Sequence, residues 1–126
     1  MIEASAIPTG LFVVYFPMQF EPFVYSVTSE LSSDYHGAYW QFYILSNGAF
    51  YMAPEPERLY FVACENGYEG NLSADALGIA ACLYAYSHRS FAGDNALAET
   101  CVQHYHWLRG YVLEHPEARY ILRAID

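Results

Sequence analysis

Cys101, His104 and His106 are the best candidates for metal ligands in this sequence. Cys101 and His104 are three residues apart and can share one face of a helix, whereas His104 and His106 point about 200° away from each other. They are not accompanied by a CxxC or HExxH pattern, either of which would indicate a zinc site. We therefore expect no bound metal, and a small metal-dependent hydrolase using these side chains is the least favoured alternative.

Nucleophiles and phosphate-binding loops are also poorly supported. Serine, histidine and aspartate are all present, but the sequence has no GxSxG motif to position a serine for attack. The segment "GNLSADALG" superficially resembles a phosphate-binding loop, yet it lacks GxGxxG, and a chain without lysine has no Walker motif. We interpret it as a turn followed by a helix cap, and we expect neither a catalytic residue nor a cofactor.

The charge balance limits the partners that the chain can bind. It has 14 acidic residues, five arginines and no lysine, giving a net charge of −9. Since no basic stripe is present to neutralise phosphates, we expect no direct binding to nucleic acid. An acidic DNA mimic that inhibits a nuclease remains an alternative, but it needs rows of acids near the ~1.7 Å charge spacing of duplex DNA. The acids here are scattered, and the closest cluster is "PEPE" at residues 54–57.

Length and composition are typical of one packed cytoplasmic domain. The chain has 126 residues, of which 55% are hydrophobic and 18% aromatic. No apolar run approaches the ~20 residues of a membrane-spanning helix, and the first residues lack the basic region of a signal peptide. Since no membrane-spanning run is present, we expect no contact with a membrane. The three cysteines show no disulfide-framework spacing, so we expect reduced thiols.

The first part of the chain is predicted to form a helix and a β-hairpin. Residues 1–19 are expected to be irregular or extended, with a possible strand in "LFVVYF". Pro22 suits the first turn of a helix, and apolar residues at spacings of three and four continue that helix to about Ser33. Asn47–Gly48 is a strong signal for a hairpin with a two-residue type I′ turn, which pairs Ile44 with Tyr51.

In that register both faces of the hairpin are apolar. One face carries Trp40, Phe42, Ile44 and Tyr51, and the other carries Tyr43, Leu45, Phe50 and Met52. A half-exposed hairpin would alternate apolar with polar residues. This hairpin is therefore either covered on both sides or presents one side to a partner.

The rest of the chain completes an α+β domain. The segments "RLYFVACE" and "NGYEGNL" are predicted to add two strands to the hairpin and to form a single antiparallel meander of three to four strands. Ser73 is predicted to cap a helix that runs to about Arg89, and Asp75 suits the first turn of this helix. Asp94 is predicted to cap a second helix. Pro116 suits the first turn of a last helix. The expected fold is a single α+β domain in which the small meander packs with about four helices.

Three blocks in this sequence resemble the antirestriction proteins of the ArdB/KlcA family. They are "YHGAYWQFYILSNGAFYMAP", "GNLSADALGIAACLYAYS" and "HYHWLRGYVLEHPEARYILRAID", and the resemblance covers roughly residues 20–126. It implies a single domain over residues 1–126 that protects incoming mobile DNA from a host type I restriction-modification enzyme. It also implies a protein that carries no catalytic residues of its own and is not a DNA mimic.

On this basis the expected partner is the host type I restriction-modification complex, contacted directly or indirectly. Aromatic and methionine side chains are enriched at interface anchors, which favours the hairpin as the contact surface. The terminal carboxylates at Asp126 are expected either to fray or to pair with a cation of a partner, and Arg123 offsets part of their charge. The candidate partner-binding residues are Tyr39, Trp40, Tyr43, Asn47, Tyr51, Met52, Asp75, Arg123 and Asp126.

Overall fold

The computed structural model of this chain describes residues 1–7, 20–89 and 95–126. Within them the strands are β1 (Ala4–Ile7), β2 (Tyr39–Leu45), β3 (Phe50–Glu55), β4 (Leu59–Ala63) and β5 (Glu69–Ser73). The helices are α1 (Phe20–Leu31), α2 (Ala74–Arg89), α3 (Asn95–Val112) and α4 (Ala118–Ile125). The predicted α+β class is confirmed. The predicted strand at residues 11–16 and the predicted cap at Asp94 lie outside the described residues.

The described strands form two antiparallel sheets, so the predicted single meander is wrong. One sheet has the order β1-β2-β3, and the other is the β4-β5 hairpin. The outer edge of β3 is covered by α2. The backbone N–H of Met52 lies 3.5 Å from the Cys82 sulfur, and the Tyr86 hydroxyl donates a 2.7 Å hydrogen bond to the Phe50 carbonyl. Because α2 occupies this edge, β4 has no place to pair there.

Gly78 allows α2 to approach the backbone of β3 closely. A Cβ at this position would lie 2.4 Å from the Met52 carbonyl oxygen and 2.5 Å from the Ala53 Cα. The whole of residues 76–83 is buried, as expected for a helix that is apolar on all sides. The central helix therefore sits directly on the edge of the sheet, and its first turn lies beside the end of β3.

The β2–β3 hairpin is present, but its register differs by one residue from the predicted one. Ile44 lies opposite Phe50 and Tyr43 opposite Tyr51. The loop has three residues, closed by a 2.8 Å hydrogen bond from the Leu45 N–H to the Ala49 carbonyl. Only Gly48 of this loop has a positive φ, at 102°, whereas a type I′ turn needs positive φ at both central residues.

The slipped register changes which rings share a face. Tyr51 lies on the same face as Tyr43, and the two rings stack with centroids 4.8 Å apart. Asn47 holds the loop in place, because its Oδ1 accepts from the Ala49 N–H and its Nδ2 donates to the Trp107 carbonyl at 2.8 Å. These two hydrogen bonds hold the Asn47 side chain in place, although the φ of Asn47 is not positive as a type I′ turn would require.

The other elements brace this sheet and helix. The predicted first helix is confirmed as α1, whose apolar stripe of Phe20, Val24, Val27 and Leu31 is buried. The start of the chain contributes β1, a strand that the prediction of an irregular or extended segment did not specify. The last helix begins at Ala118, slightly after Pro116. In the part of the chain that the structure describes, none of the helices has the length and apolarity to cross a bilayer.

Candidate functional site

A groove of about 480 Å³ lies where β2, β3 and the first turn of α2 meet. Two tyrosines and two prolines supply aromatic and apolar walls, and three acidic residues add carboxylates. The groove, called the tyrosine groove below, is lined by Tyr39, Tyr43, Ala53, Pro54, Glu55, Pro56, Glu57 and Asp75. Five of these residues lie in β2 or β3, Pro56 and Glu57 directly follow β3, and Asp75 lies at the start of α2.

Asp75 is held between two buried side chains. The Tyr51 hydroxyl donates to Asp75 Oδ1, and His115 Nε2 lies 2.8 Å from Asp75 Oδ2. The N–H of Glu117 donates to His115 Nδ1 at 2.9 Å. Because Nδ1 accepts, the ring proton is on Nε2, which donates to Asp75. Both ring nitrogens are therefore engaged, and neither is available to act as a general base.

The first turn of α2 gathers further carboxylates. Ser73 caps the helix as predicted, since its hydroxyl oxygen accepts from the Ala76 N–H at 3.1 Å. Glu117 accepts hydrogen bonds from both the N–H and the hydroxyl of Ser73. The N–H of Asp75 donates to Glu57 at 3.2 Å. Negative groups are favoured at a helix N-terminus, so the helix stabilises this acidic site.

The pKa values of two tyrosine hydroxyls are raised in this acidic region. Burial is the main reason that the pKa of Tyr43 is raised, and Asp75, Glu55 and Glu57 raise it further. The pKa of Tyr51 is also raised, first by burial and then by its charge interaction and hydrogen bond with Asp75. Both hydroxyls therefore remain protonated near neutral pH and do not act as nucleophiles.

Three of the candidate residues from the sequence meet in the groove, and two others are corrected by their burial. Tyr39, Tyr43 and Asp75 line it, and the Tyr39 side chain is 86% exposed. Tyr51 and Met52 are only 2% and 0% exposed, so neither presents a surface to a partner. The reason is the hairpin register and the position of α2, which place Tyr51 over Asp75 and Met52 against Cys82.

The remaining candidates lie elsewhere. Trp40 is half-buried, and its Nε1–H donates to the Tyr35 hydroxyl at 3.1 Å. Asn47 binds the hairpin loop to α3. Arg123 and Asp126 line a separate hollow beside Asn66. Asp126 forms an ion pair with Arg109 at 3.3 Å, so its side chain has a cation within this chain.

Sequence reasoning missed four residues of this site. Glu55 and Glu57 were noted only as part of the "PEPE" cluster, and His115 and Glu117 were not singled out. Two sequence features could have drawn attention to these residues. "PEPE" follows an aromatic strand, and "HPE" places polar groups between two helices. Neither pattern predicts contact with Asp75, because the contact spans 40 residues from Asp75 to His115.

The candidate metal ligands and thiols show no reactive arrangement. Cys101 and His104 are buried and His106 is exposed, as expected for residues on different faces of α3. Across residues 1–7, 20–89 and 95–126, no group of three His, Cys, Asp or Glu side chains is placed to hold a metal ion. Burial raises the pKa of the Cys82 thiol to about 12 and also raises that of Cys64. Among the described residues, none of the three cysteines forms a disulfide.

Comparison with known proteins gives consistent matches. A sequence profile of the antirestriction protein family matches residues 33–126. The antirestriction protein KlcA of Escherichia coli is 46% identical over 112 residues, which are 86% of this chain and 78% of that protein. The uncharacterized protein YafX of E. coli K12 is 41% identical over 111 residues, covering 84% of this chain and 70% of the relative.

A solved structure is similar over almost the whole chain. Its TM-score is 0.89 at 39% identity, and the match covers 99% of this chain and 95% of the other. That structure is described as showing, for the KlcA and ArdB proteins, a novel fold and antirestriction activity against type I DNA restriction systems in vivo but not in vitro. The similarity therefore includes the segments that build the tyrosine groove.

Proposed function

This chain belongs to the antirestriction protein family, and we propose that it protects incoming mobile DNA by inhibiting a host type I restriction-modification endonuclease through protein contacts, without catalysis. The observation that carries the proposal is its similarity, over almost the whole chain, to a structure described as showing antirestriction activity. The expected partner is the host restriction-modification complex, contacted directly or through another host component. We expect the complex and any such component to be located in the cytoplasm.

The chemistry of the described side chains supports inhibition by contact. The polar network around Asp75 has the residue types of a catalytic site, but both nitrogens of His115 are engaged in hydrogen bonds. Burial also raises the pKa of the Cys82 thiol and of the Tyr51 hydroxyl, so neither forms its nucleophilic anion near pH 7. These groups stabilise the start of α2 and shape the tyrosine groove.

The arrangement of acidic residues favours protein contact over imitation of DNA. Many of the carboxylates accept hydrogen bonds or ion pairs from groups of the same chain: Glu21, Asp34, Glu57, Asp75, Glu114, Glu117 and Asp126. Groups of the same chain therefore fix the positions of these oxygens. A phosphate mimic instead presents its charges in rows to the solvent. The net charge of −9 also opposes direct binding to DNA.

The proposal is tested by plating unmodified phage on cells that carry an active type I system, with and without this protein. We expect the protein to restore plating toward the level of an isogenic strain that lacks the endonuclease. Phage that already carries the host modification is the control, and its plating should not change. Plating that stays at the restricted level, with the protein present in soluble form, would contradict the proposed function.

The contribution of protein contacts is tested by co-purification. A tagged copy of this protein is recovered from cells that contain the complete restriction system, and separately from cells that contain its individual subunits. We expect the complex or a host component to be retained at stoichiometric level. Full protection without any retained protein would refute inhibition through stable contact.

A further inference from the structure

The tyrosine groove combines an exposed aromatic ring with uncompensated negative charge. Tyr39 is 86% exposed, so most of its ring has no contact with the described residues. Glu55 and Glu57 are also exposed, and Asp75 is half-buried beside them. The Asp75 carboxylate accepts hydrogen bonds from a tyrosine hydroxyl and from the Nε2–H of His115, which leave its charge in place.

Among the residues that the structure describes, those that line the groove include no cation. The nearest arginine in sequence is Arg58, and its guanidinium lies over the ring of Tyr60, 4.3 Å from the ring centroid. Arg58 is thus engaged at a different ring. The groove therefore has three carboxylates and two tyrosine rings, and its lining includes no basic side chain.

This combination matches the chemistry of a guanidinium group. A guanidinium is planar and stacks on aromatic faces, and its five N–H donors bind carboxylates in pairs. An ammonium group is a compact, strongly hydrated point charge and gains less from a tyrosine wall. The volume of about 480 Å³ accommodates a long side chain together with part of its backbone. Two prolines, Pro54 and Pro56, provide an apolar wall for the methylene stem.

We propose that the tyrosine groove binds an arginine side chain presented by a segment of the partner protein. Tyr39 and Tyr43 contact the guanidinium plane, while Glu55, Glu57 and Asp75 supply the opposite charge. This inference rests on the proposed function, because it specifies the chemistry of the protein that is contacted. It places the contact at the end of the hairpin and leaves the buried Tyr51 as a support for Asp75.

The binding chemistry is tested on the purified full chain by nuclear magnetic resonance titration. The probe is N-acetyl-arginine methylamide, and the matched controls are the citrulline and lysine compounds with the same caps. Citrulline has nearly the shape of arginine but carries no charge. We expect the arginine probe to shift resonances of the groove residues, with weaker shifts for lysine and almost none for citrulline. Binding should weaken as salt is raised.

A charge-matched pair of double variants locates the binding site. Glu55→Gln with Glu57→Gln removes two charges from the groove, and Glu69→Gln with Glu99→Gln removes two exposed charges from other elements. Both variants carry the same net charge. Since the groove variant loses two possible ion pairs with the guanidinium, we expect it to bind the arginine probe about tenfold more weakly than the control variant. Unchanged resonance patterns away from the substitutions verify folding.

The phage assay separates this inference from the proposed function. We expect the groove double variant to protect less than the control double variant. Shifts that are equal for arginine and citrulline, or that lie away from the groove, overturn the inference even when the wild-type protein protects. Equal binding of the lysine probe overturns the preference for arginine. A groove variant that loses the probe and still protects fully overturns the role of the groove in partner binding, whereas absent protection by the wild-type protein overturns the proposed function itself.

Discussion

Replacing Gly78 by alanine tests the packing of α2 on β3, which forms one side of the tyrosine groove. The added Cβ would lie 2.4 Å from the Met52 carbonyl oxygen, and 2.5 and 2.6 Å from the Cα and Cβ of Ala53. Ordinary contacts of a Cβ begin near 3.4 Å, so the helix and the strand would have to separate by about 1 Å, from 2.4 to 3.4 Å. The nearest atoms belong to the backbone and to a methyl group, and they cannot rotate away.

The cost follows from this separation. Forcing a methyl group into a packed core costs about 1–3 kcal/mol. The same movement stretches the buried hydrogen bond between Tyr86 and Phe50, now 2.7 Å long, and loss of such a bond costs about 1 kcal/mol. Alanine has a higher helix propensity than glycine, which offsets about 1 kcal/mol of this loss of stability. We therefore expect Gly78→Ala to lower the free energy of unfolding by about 1–3 kcal/mol.

Gly110 provides the matched control, because it also lies within a helix but its Cβ would meet open space. It belongs to α3, and a Cβ there has no atom within 4 Å. Gly110→Ala should therefore gain about 0.5–1 kcal/mol from helix propensity alone. Urea unfolding, followed by circular dichroism, measures both variants against the wild type. The two substitutions are expected to have opposite signs, and Gly78→Ala should also protect phage less well.

A Gly78→Ala protein that is as stable as the wild type would refute the close approach of helix and strand. The same conclusion follows if both variants gain stability by similar amounts, since propensity alone would then account for them.

Other predictions concern burial and capping. Burial lowers the pKa of His104 from 6.5 to about 4, so the unfolded chain binds the proton first as pH falls. Stability is therefore retained above pH 6.5 and lost toward pH 4, by about 3 kcal/mol relative to His104→Phe, when the urea unfolding of both proteins is compared across this range. Ser73→Ala removes the cap of α2 and should cost about 1–2 kcal/mol of unfolding free energy in urea, and a loss close to zero would contradict the capping role. The Cys82 thiol, whose pKa is about 12, should not react with Ellman's reagent at pH 8 until urea unfolds the protein, and fast reaction in the native state would contradict its burial.

Local signals in the sequence predicted most of the regular elements. The apolar stripe after Phe20 and the cap at Ser73 depend on contacts within one or two helical turns, and α1 and α2 begin where these signals place them. The hairpin at Asn47–Gly48 was also predicted, but its register was not. A one-residue difference in loop length is decided by the contact of Asn47 with α3, and this contact spans 60 residues.

The candidate site was predictable only in part. Tyr39, Tyr43 and Asp75 were found because the hairpin is aromatic and because an acid suits the first turn of a helix. Glu57 and His115 were missed as site residues, because their roles arise from contact with Asp75 across 18 and 40 residues. Burial of Tyr51 likewise depends on which helix covers its strand, and the strand pattern does not specify this.

The amino-acid sequence by itself determined the α+β class, most of the helices, the cap at Ser73, the aromatic hairpin and the resemblance to a family. Periodicity, capping and turn preference are properties of neighbouring residues, so they can be read along the chain. The tertiary structure decided that the strands form two sheets, that Tyr51 is buried and that Tyr39, Glu57 and Asp75 share one groove. The physical reason is the packing of α2 against the edge of β3 at Gly78, which excludes a fourth strand and brings distant carboxylates together.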